Sequence, residues 1–277
     1  AVSIPLHTSK PADELAAFAA RFTPAAVIAR GPAQAIDGVP LILADDDLLQ
    51  PVPAEHRRRP VAVAQDALFC IALSSGTTGA PKGVMCAHRQ TVLAFDAWGT
   101  IVGLRSDDRY LVINPFFHSF GYKAGIIASL VKGNVIVPQA TFDVGAAMSL
   151  IESEQITTLP GPPTIFQTII NHPDFDIAKL SSLRLAVTGA ASIPVQLIKD
   201  MRDVLEFDTV LSAYGLTEAC GIATVSRHDD PPEIIANYSG RAIPDVEVRI
   251  ADDEGNEVPR GEQGEVLVVG QHRFRLG

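Results

Sequence analysis

Short β-rich segments alternate with helix-like segments along most of this chain, and that alternation is the strongest constraint on its fold. RYLVIN (109–114), NVIVP (134–138) and LRLAVTG (183–189) are rich in β-branched residues, and stretches with apolar residues at helical spacing separate them. Strand, helix and strand in succession predict parallel strands that are joined by crossover helices. We therefore expect an α/β fold in which helices are layered around mostly parallel sheets.

The helix-like segments have recognisable ends. FGYKAGIIASLVKG (120–133) stops at a glycine, and DVGAAMSLIESEQ (143–155) starts with an aspartate suited to an N-cap. IPVQLIKDMRDVLE (193–206) is amphipathic and has Pro194 in its first turn, where a missing N–H does no harm. Further strands are predicted at ALFCIAL (67–73), ITTLP (156–160) and TVLSAYG (209–215), and further helices at HRQTVLAFDAW (88–98) and TIFQTII (164–170).

The pattern changes near the C-terminal end of the chain. VEVRIADDEGNEV (246–258) places two alternating runs around DDEGN, a hairpin signal, and GEVLVVG (264–270) follows as another strand. We expect a smaller antiparallel, β-barrel-like subdomain here. The predicted organisation is an α/β body at 1–237 and the start of this subdomain at 238–277.

Composition excludes several classes of protein. A hydrophobic fraction of 47% in 277 residues supplies a core, so intrinsic disorder is excluded. The formal charge of −10 argues against nucleic acid as a partner, because phosphate backbones attract clustered Lys and Arg. HRRRP (56–60) is interpreted as a solvated loop within a polar surface connection at 44–65, with an interaction patch as the alternative.

The pattern of cysteines and the lengths of the apolar runs indicate in which cellular compartment the protein occurs. Cys70, Cys86 and Cys220 are an odd number with no CxxC spacing, which excludes a zinc knuckle and fits a reducing environment. No apolar run reaches membrane-spanning length, and the N-terminus lacks the pattern of a signal peptide. We expect a cytoplasmic protein without a membrane span. Because the chain starts at Ala1, we also expect it to be processed or part of something longer.

One polar loop points to a ligand. LSSGTTGAPKGV (73–84) starts where ALFCIAL ends, and a helix-like segment follows it. A glycine-rich loop between a strand and a helix can cradle phosphate, since its N–H groups, hydroxyls and lysine all favour an anion. It is not a Walker A loop, because Ala80 and Pro81 separate Gly79 from Lys82. The alternative is a flexible linker, but a linker needs neither the preceding strand nor a lone lysine.

The loop also resembles the phosphate-binding signature of the adenylate-forming enzymes, which include acyl-CoA synthetases, aryl-CoA ligases, luciferases and peptide-synthetase adenylation domains. Further segments are similar to that family's motifs and occur in the expected order: NPFFHSFG (114–121), VTGAAS (187–192), AYGLTEACG (213–221), SGRAIPDVEVRI (239–250) and GEQGEVLVVG (261–270). The start, AVSIPLHTS, looks like an early strand of the family. The resemblance therefore covers essentially the whole chain.

The resemblance implies a fold and a reaction. The fold is the N-terminal large domain of the adenylate-forming enzymes, in truncated form. In the reaction a carboxylate attacks the α-phosphorus of ATP to give acyl-adenylate and pyrophosphate, and a thiol such as that of CoA then takes the acyl group. Because an anion approaches a polyanion, the site must spread negative charge over donors and Mg²⁺. The implied partners are a small carboxylic acid, ATP and CoA.

The resemblance assigns roles residue by residue. The residues implied to hold the β- and γ-phosphates of ATP are Ser74, Ser75, Gly76, Thr77, Thr78, Gly79 and Lys82. Those implied to surround adenine and the α-phosphate are Gly189, Ala190, Ala191, Tyr214, Gly215 and Thr217, with Tyr214 stacked on the base. Glu218 is implied to help hold Mg²⁺, which suits one carboxylate plus phosphate oxygens. Thr217, Glu218, His118 and Lys82 form the implied catalytic set.

Several of these residues also have a purely structural interpretation. Judged alone, Tyr214 fits a core aromatic residue, Glu218 fits a charge at a helix N-terminus, and His118 fits a packed, hydrogen-bonded residue. The resemblance places His118 beside the reacting carboxylate. It also implies an apolar wall for the acyl group, formed by Phe116, Phe117, Phe120 and Tyr122, for which ordinary core packing is the alternative.

Lys123 and Cys220 lie next to these motifs in the sequence, and neither has a role assigned by the resemblance. We expect Lys123 either to contact a polar group of the substrate or to face solvent. Cys220 follows the YGLTE motif, and nothing nearby in the sequence suggests an activated thiolate.

The chain also departs from the family's pattern. Intact members are longer, whereas only 73 residues precede Ser74 here, and no TGD segment, hinge or mobile C-terminal domain with its lysine follows GEVLVVG. We therefore expect this chain alone to be a poor catalyst. FFHSFGYKAG favours a CoA ligase for a fatty or alicyclic acid. The alternatives are an adenylation domain that loads a carrier protein and a noncatalytic nucleotide- or acyl-binding module.

Overall fold

The computed structural model describes residues 2–7, 10–29, 36–43, 61–74, 82–270 and 275–276. The chain divides into two compact units, one made of Ala1–Pro5 with Ala64–Gly277 and the other of Leu6–Val63. The smaller unit contains helix α1 (Ala12–Phe22) and two parallel strands, β1 (Val27–Ala29) and β2 (Leu41–Leu43). The HRRRP run and most of the polar stretch around it lie outside the described residues.

The main sheet of the larger unit is mostly parallel. Its described strands are β5 (Arg109–Val112), β6 (Val135–Pro138), β7 (Leu185–Gly189), β8 (Thr209–Tyr214), β9 (Thr224–Val225) and β10 (Arg241–Ala242). The pairs β5–β6 and β7–β8 are parallel, and Thr158 bridges Tyr110 on one side and Leu185 on the other. β9 and β10 extend the sheet antiparallel. The α/β prediction is confirmed.

Helices cover both faces of this sheet. They are α2 (His88–Val102), a π-helical segment (Phe120–Ile127) that continues into α3 (Ala128–Lys132), α4 (Val144–Glu154), α5 (Pro163–Ile170), α6 (Val195–Asp203) and α7 (Pro232–Asn237), with 3₁₀ turns at Ile177–Leu180 and Thr217–Ala219. Asp143 caps α4 by accepting the N–H of Ala146 at 2.8 Å, as predicted. Pro194 precedes α6 as its N-cap instead of lying in the first turn.

The core explains why the strands are apolar throughout. Leu185, Val187 and Leu211 pack with α2, whereas Ala186 and Val210 pack with the helices of the opposite face. All five residues of β7 are buried. A strand that is covered on both sides has no solvent face, so it shows a continuous apolar run without alternation.

A buried ion pair joins the starting ends of the strands. Asp108 is 2% exposed and accepts hydrogen bonds from Arg184 Nε at 2.8 Å, Thr157 Oγ1 at 2.7 Å and the N–H of Arg105 at 2.7 Å. Burial raises the pKa of Asp108, but these hydrogen bonds outweigh it and hold the pKa below its ordinary value. The carboxylate therefore stays ionised inside the fold.

The polar loop at 73–84 lies between two strands. β3 (Leu68–Ser74) pairs antiparallel with β4 (Lys82–Ala87), which also pairs with β13 (Arg275–Leu276). The prediction that the loop runs from a strand directly into a helix was wrong, because β4 intervenes and α2 starts only after it. The signal was present in KGVMCA, whose buried Val84 and Cys86 alternate with the less buried Met85.

The C-terminal part of the described chain is antiparallel, as predicted. β11 (Val246–Ala251) pairs along its full length with β12 (Glu265–Gly270). The DDEGN turn forms, since Val258 N–H donates to Ile250 O at 2.9 Å. However, the strand that pairs with β11 along its length is β12, and not the segment directly after this turn. Within the described residues this region is a two-stranded sheet and not a closed barrel. The boundary at 237/238 stays a prediction. No helix in the described ranges is long and apolar enough to cross a membrane.

Candidate nucleotide and acid site

A cavity of about 490 Å³ opens at the C-terminal edge of the main sheet, next to the ends of β7 and β8. Open α/β sheets bind their ligands at this edge, because loops there leave the strands in different directions. Among the residues that line the cavity are Phe95, Trp98, His118, Phe120, Ala190 and Tyr214. Its size is within the range of small-molecule sites.

Two of the predicted nucleotide segments meet in this cavity. Gly189 ends β7 and Ala190 and Ala191 follow it, whereas Tyr214 ends β8 and Gly215 follows it; all five line the cavity. They meet because β7 and β8 are parallel neighbours, so their carboxyl ends lie at one edge of the sheet. Their roles towards adenine stay predictions.

Glycine allows the close approach of these two strands. A Cβ on Gly189 would lie 2.6 Å from the carbonyl oxygen of Ala213, closer than any real contact. The next residue, Ala190, has a φ of +63°, a left-handed conformation that costs an L-residue about 1 kcal/mol. The VTGAAS loop is therefore a tight turn with an exposed backbone at the cavity wall.

The YGLTE motif closes on itself after β8. The N–H of Gly221 donates to Leu216 O at 2.9 Å, and a Cβ on Gly215 would lie 2.3 Å from the carbonyl oxygen of Gly221. Thr217 and Glu218 are half-buried on the short 3₁₀ turn inside this closure. Within the described ranges, Glu218 forms no ion pair with a side chain of the protein, so its carboxylate is available to another group.

The predicted phosphate loop is described only at its two ends. Ser74 and Lys82 are paired across β3 and β4, with Ser74 buried and Lys82 exposed. Ser75, Gly76, Thr77, Thr78 and Gly79 lie outside the described residues. β3 contacts the 3₁₀ turn Thr217–Ala219, so the base of the loop lies against the YGLTE segment.

His118 lies at the cavity with an exposed edge. Its Nδ1 accepts the N–H of Phe120 at 3.2 Å, which places the proton of the neutral ring on Nε2. Partial burial lowers the pKa of His118 below its ordinary value. The ring is therefore neutral at pH 7 and has a donor to offer.

The apolar wall differs from the predicted one. Phe120 lines the cavity, but Phe116 and Phe117 are exposed and do not. Tyr122 stacks on Phe69 with ring centroids 5.8 Å apart. The prediction that all four aromatic residues form the wall was wrong, because Phe116 and Phe117 lie in the exposed turn before the π-helical segment and Tyr122 packs on Phe69 instead.

Two aromatic residues of α2 line the cavity, where the predicted wall residues other than Phe120 do not. Phe95 and Trp98 are each 1% exposed and line the cavity, although the sequence analysis did not single them out. Their three-residue spacing marks one face of the helix. Nothing in the sequence shows that this face reaches the sheet edge.

Two hydroxyl groups in the cavity wall also escaped the sequence analysis. Thr188 and Ser212 are buried, line the cavity, and are paired near the ends of the neighbouring strands β7 and β8. Among the described residues, neither Oγ1 of Thr188 nor Oγ of Ser212 has a hydrogen-bond partner. Buried hydroxyls without partners are uncommon, so both are candidates for contact with a polar ligand.

Lys123 corrects another expectation. Its side chain neither reaches the cavity nor faces solvent, but is fully buried, with Nζ 3.0 Å from Cys86 Sγ and 3.4 Å from Cys220 Sγ. The hydrogen bond with Cys86 and burial raise the pKa of Cys220 well above its ordinary value, which agrees with the expectation that Cys220 is not an activated thiolate. The sequence concealed this contact, since 97 residues separate Lys123 from Cys220.

Comparison with known proteins places this site in a family. The profile of the family described as AMP-binding enzyme matches residues 1–276. The chain belongs to the AMP-binding enzyme family. This membership accounts for the order of the motifs that meet at the sheet edge.

Relatives of this AMP-binding enzyme include several CoA ligases. The chain is 50% identical, over 84% of its length, to the 3-[(3aS,4S,7aS)-7a-methyl-1,5-dioxo-octahydro-1H-inden-4-yl]propanoyl:CoA ligase of Rhodococcus jostii. It is 32% identical, over 97% of its length, to feruloyl-CoA synthase from an Amycolatopsis species. It spans 42% of the first relative and 50% of the second.

Solved structures show the same fold. ATP-bound MatB from Rhodopseudomonas palustris superposes with a TM-score of 0.85 at 22% identity, covering 99% of this chain and 56% of MatB. The inhibitor-bound N-terminal domain of FACL13 from Mycobacterium tuberculosis superposes with a TM-score of 0.83 at 27% identity, covering 99% and 71%. These likenesses confirm the predicted N-terminal-domain fold of the adenylate-forming enzymes.

Proposed function

We propose that the protein containing this chain is an acid–thiol ligase that converts a carboxylic acid to an acyl-adenylate with ATP and then to a CoA thioester. One observation carries the proposal. The VTGAAS loop, the first two residues of YGLTE and His118 converge on one cavity at the sheet edge, and strand β3, which leads into the Ser/Gly loop, contacts the 3₁₀ turn that follows in YGLTE. This arrangement supports a site in which nucleotide, acid and phosphates would be adjacent, as a direct attack on the α-phosphate requires.

The acid is proposed to be an alicyclic propanoate with a fused ring system. The 50% identical relative is named for a bicyclic dioxo propanoate. The cavity has aromatic walls in Phe95, Trp98 and Phe120, which offer broad flat surfaces to a rigid ring system. A fatty acid, with its place in fatty acid metabolism, is the second candidate.

Side chains at and near the cavity would stabilise the negative charges of the nucleotide and of the acid. Lys82 and the neighbouring Ser/Thr/Gly residues would bind the β- and γ-phosphates, and Thr217 would donate to the α-phosphate. His118, neutral and with its donor on Nε2, would orient the carboxylate of the acid. Adenine would lie between Tyr214 and the small residues of the VTGAAS loop.

Mg²⁺ fits this arrangement only as an ion shared with the nucleotide. Within the described ranges no group of three or more His, Cys, Asp or Glu side chains could hold a metal. Glu218 would offer a single carboxylate that has no ion pair within the described ranges, and Mg²⁺ commonly binds one carboxylate together with phosphate oxygens and waters. When bound, the ion would neutralise phosphate charge during attack.

Cytoplasmic location belongs to the same proposal. Cys70, Cys86 and Cys220 are free and buried, a state that a reducing compartment maintains. Fractionation of the native host with an antibody to this protein would test the location.

The decisive experiment uses the full-length protein with ATP, Mg²⁺, CoA and a panel of acids. The panel contains the bicyclic dioxo propanoate, a long-chain fatty acid and ferulate. We expect pyrophosphate release and CoA thioester formation that depend on the acid and are fastest with the bicyclic acid. Lys82→Ala and Glu218→Gln should reduce the rate at least tenfold, whereas the exposed Lys179→Ala and Glu152→Gln should not.

Other outcomes would replace the proposal. Transfer to a phosphopantetheinylated carrier protein but not to CoA would make the protein an adenylation domain. Nucleotide binding without pyrophosphate release with any acid would indicate a noncatalytic binding module.

A further inference from the structure

A fully buried lysine lies at the centre of a cluster of sulfur atoms beside the candidate site. Lys123 Nζ lies 3.0 Å from Cys86 Sγ, 3.4 Å from Cys220 Sγ and 3.2 Å from the carbonyl oxygen of Cys220. Cys70 lies directly opposite Cys86 on the paired strands β3 and β4. All four side chains have no exposed surface.

The contacts of Lys123 match those of a charged ammonium. An ammonium has three N–H donors and no acceptor, and Nζ has three acceptors within reach, two sulfurs and one carbonyl oxygen. In the described part of the chain no carboxylate lies within 4 Å of Nζ. A buried ammonium without a counter-charge is strongly destabilising. Among the described groups around Nζ, the thiols are the ones that can supply a negative partner, by losing a proton.

Electrostatics support this assignment. Burial alone would lower the pKa of Lys123, but the sulfurs of Cys220, Cys86 and Cys70 outweigh it and raise that pKa above its ordinary value. The hydrogen bond with Cys86 lowers the pKa of Cys70, although burial opposes it. The pKa of Cys86 is raised, and the hydrogen bond with Cys86 raises that of Cys220 as well, so Cys70 is the thiol of the cluster that loses its proton most readily.

The cluster joins the two segments that the proposed function needs most. β3 and β4 carry the two ends of the Ser/Gly loop, and Cys220 directly follows the 3₁₀ turn that holds Thr217 and Glu218. Cys220 has a φ of +57°, so its carbonyl is held in an unusual direction, towards Nζ. Lys123 itself comes from the π-helical segment, a geometry that often occurs at functional sites.

We propose that Lys123 is a positioning residue whose ammonium, paired with a thiolate shared by Cys70 and Cys86, holds the YGLTE turn against the base of the phosphate loop. The pairing rests on the contacts of Nζ with the sulfurs and the carbonyl oxygen, and the lowered pKa of Cys70 supports it. Its effect on ATP use rests on the proposed function.

The first test measures stability in two backgrounds of the full-length protein. Lys123→Met, which keeps length and removes charge, should lower the melting temperature when the cysteines are present. In a Cys70→Ala, Cys86→Ala, Cys220→Ala background the ammonium has no counter-charge, so the same substitution should raise the melting temperature. We expect shifts of about 5 °C in opposite directions. A shift of the same sign in both backgrounds would overturn the pairing.

The second test needs no cysteine variant. The folded wild-type protein at pH 7 should show the ultraviolet absorbance of one thiolate, and Lys123→Met should lose it. The exposed Lys179→Met serves as the matched control and should keep it. Absence of the thiolate band in the wild-type protein would contradict the proposal, whether or not the triple-alanine variant folds.

The third test separates positioning from stability. Lys123→Met should raise the KM for ATP about tenfold at a temperature where the variant is fully folded, with a smaller effect on the KM for CoA. An unchanged KM for ATP would overturn the positioning role. If the protein has no ligase activity, the absorbance and melting tests still decide the pairing, and only the proposed function fails.

Discussion

Thr188 and Ser212 are partners across the parallel strands β7 and β8, one residue before the end of β7 and two before the end of β8, and both line the candidate cavity. Both hydroxyls are buried, and neither finds a hydrogen-bond partner among the described residues. Leaving a buried hydroxyl unpaired costs stability, because the group loses water without gaining a partner. The pair therefore has the properties expected of groups that are satisfied by a ligand.

We expect Thr188→Val and Ser212→Ala to stabilise the empty protein slightly and to weaken its ligand binding. Each substitution removes an unpaired hydroxyl, so the melting temperature should not fall, while the Kd for AMP should rise about fivefold per lost hydrogen bond. Calorimetry with AMP and thermal melts on the full-length protein measure both quantities. The exposed Thr168→Val, on α5 and away from the cavity, should leave the Kd unchanged. An unaltered Kd in both cavity variants would refute the role.

Gly189→Ala should damage the site sterically. Its new Cβ would lie 2.6 Å from the backbone oxygen of Ala213, which no side-chain rotation can relieve, so the ends of β7 and β8 must separate. We expect a loss of about 2 kcal/mol in the free energy of unfolding and loss of AMP binding. Gly145→Ala is the matched control, because its Cβ meets its nearest atom at 3.5 Å, and it should change stability by less than about 1 kcal/mol. Denaturant unfolding checks both values.

Asp108→Asn should destabilise the protein most near neutral pH. The substitution leaves Arg184, whose side chain is only 17% exposed, without its charge partner, and we expect a loss of about 3 kcal/mol. Because folding lowers the pKa of Asp108, its stabilisation is complete above the ordinary carboxyl pKa. It is lost as pH falls from about 4 through the lower folded value.

The acid limb of the stability curve tests this assignment of Asp108. The wild-type melting temperature should decline below about pH 4 more steeply than that of Asp108→Asn. Asp208→Asn, at an exposed position, should reproduce the wild-type slope. Parallel acid limbs for Asp108→Asn and the wild-type protein would argue against a depressed pKa.

His118 should limit the proposed reaction at acidic pH. Folding lowers its pKa, so the ring stays neutral at pH 7 and gains its proton only below its ordinary value of about 6.5. Protonation removes the Nδ1 acceptor that holds the N–H of Phe120, and the rate of acid-dependent pyrophosphate release should fall there. His118→Gln should be slower but lack this acidic limb.

His172 offers a close control for that profile. Its Nδ1 also accepts an N–H two residues ahead, that of Asp174 at 3.2 Å, but it does not line the cavity. His172→Gln should therefore keep the wild-type rate and pH profile. Retention of the acidic limb in His118→Gln would show that another group is responsible.

The sequence predicted those features that depend on local patterns. Asp143 caps its helix because a cap depends only on neighbouring residues, whereas the meeting of Tyr214 and Gly189 at one sheet edge was implied by the family resemblance. The strand β4 was not predicted, although buried and less buried residues alternate in KGVMCA. The glycine-rich loop before it was instead expected to lead directly into a helix.

What the sequence could not predict depends on long-range geometry. Lys123 is enclosed because a π-helical turn shifts its direction from that of an α-helix, and 3.6-residue periodicity contains no such information. Trp98 reaches the cavity because of where α2 crosses the sheet edge, which no local pattern encodes. The unpaired Thr188 and Ser212 look in sequence like ordinary strand residues.

Helix α2 begins one residue after β4 and supplies Phe95 and Trp98 to the cavity wall further along. An α-helix is stiff over this length, so its first turn and its middle turns cannot move independently. A bulky acid that pushed on the two rings would therefore displace the strand that ends the nucleotide loop. By the same coupling through α2, a bound nucleotide would restrict which acids fit against Phe95 and Trp98.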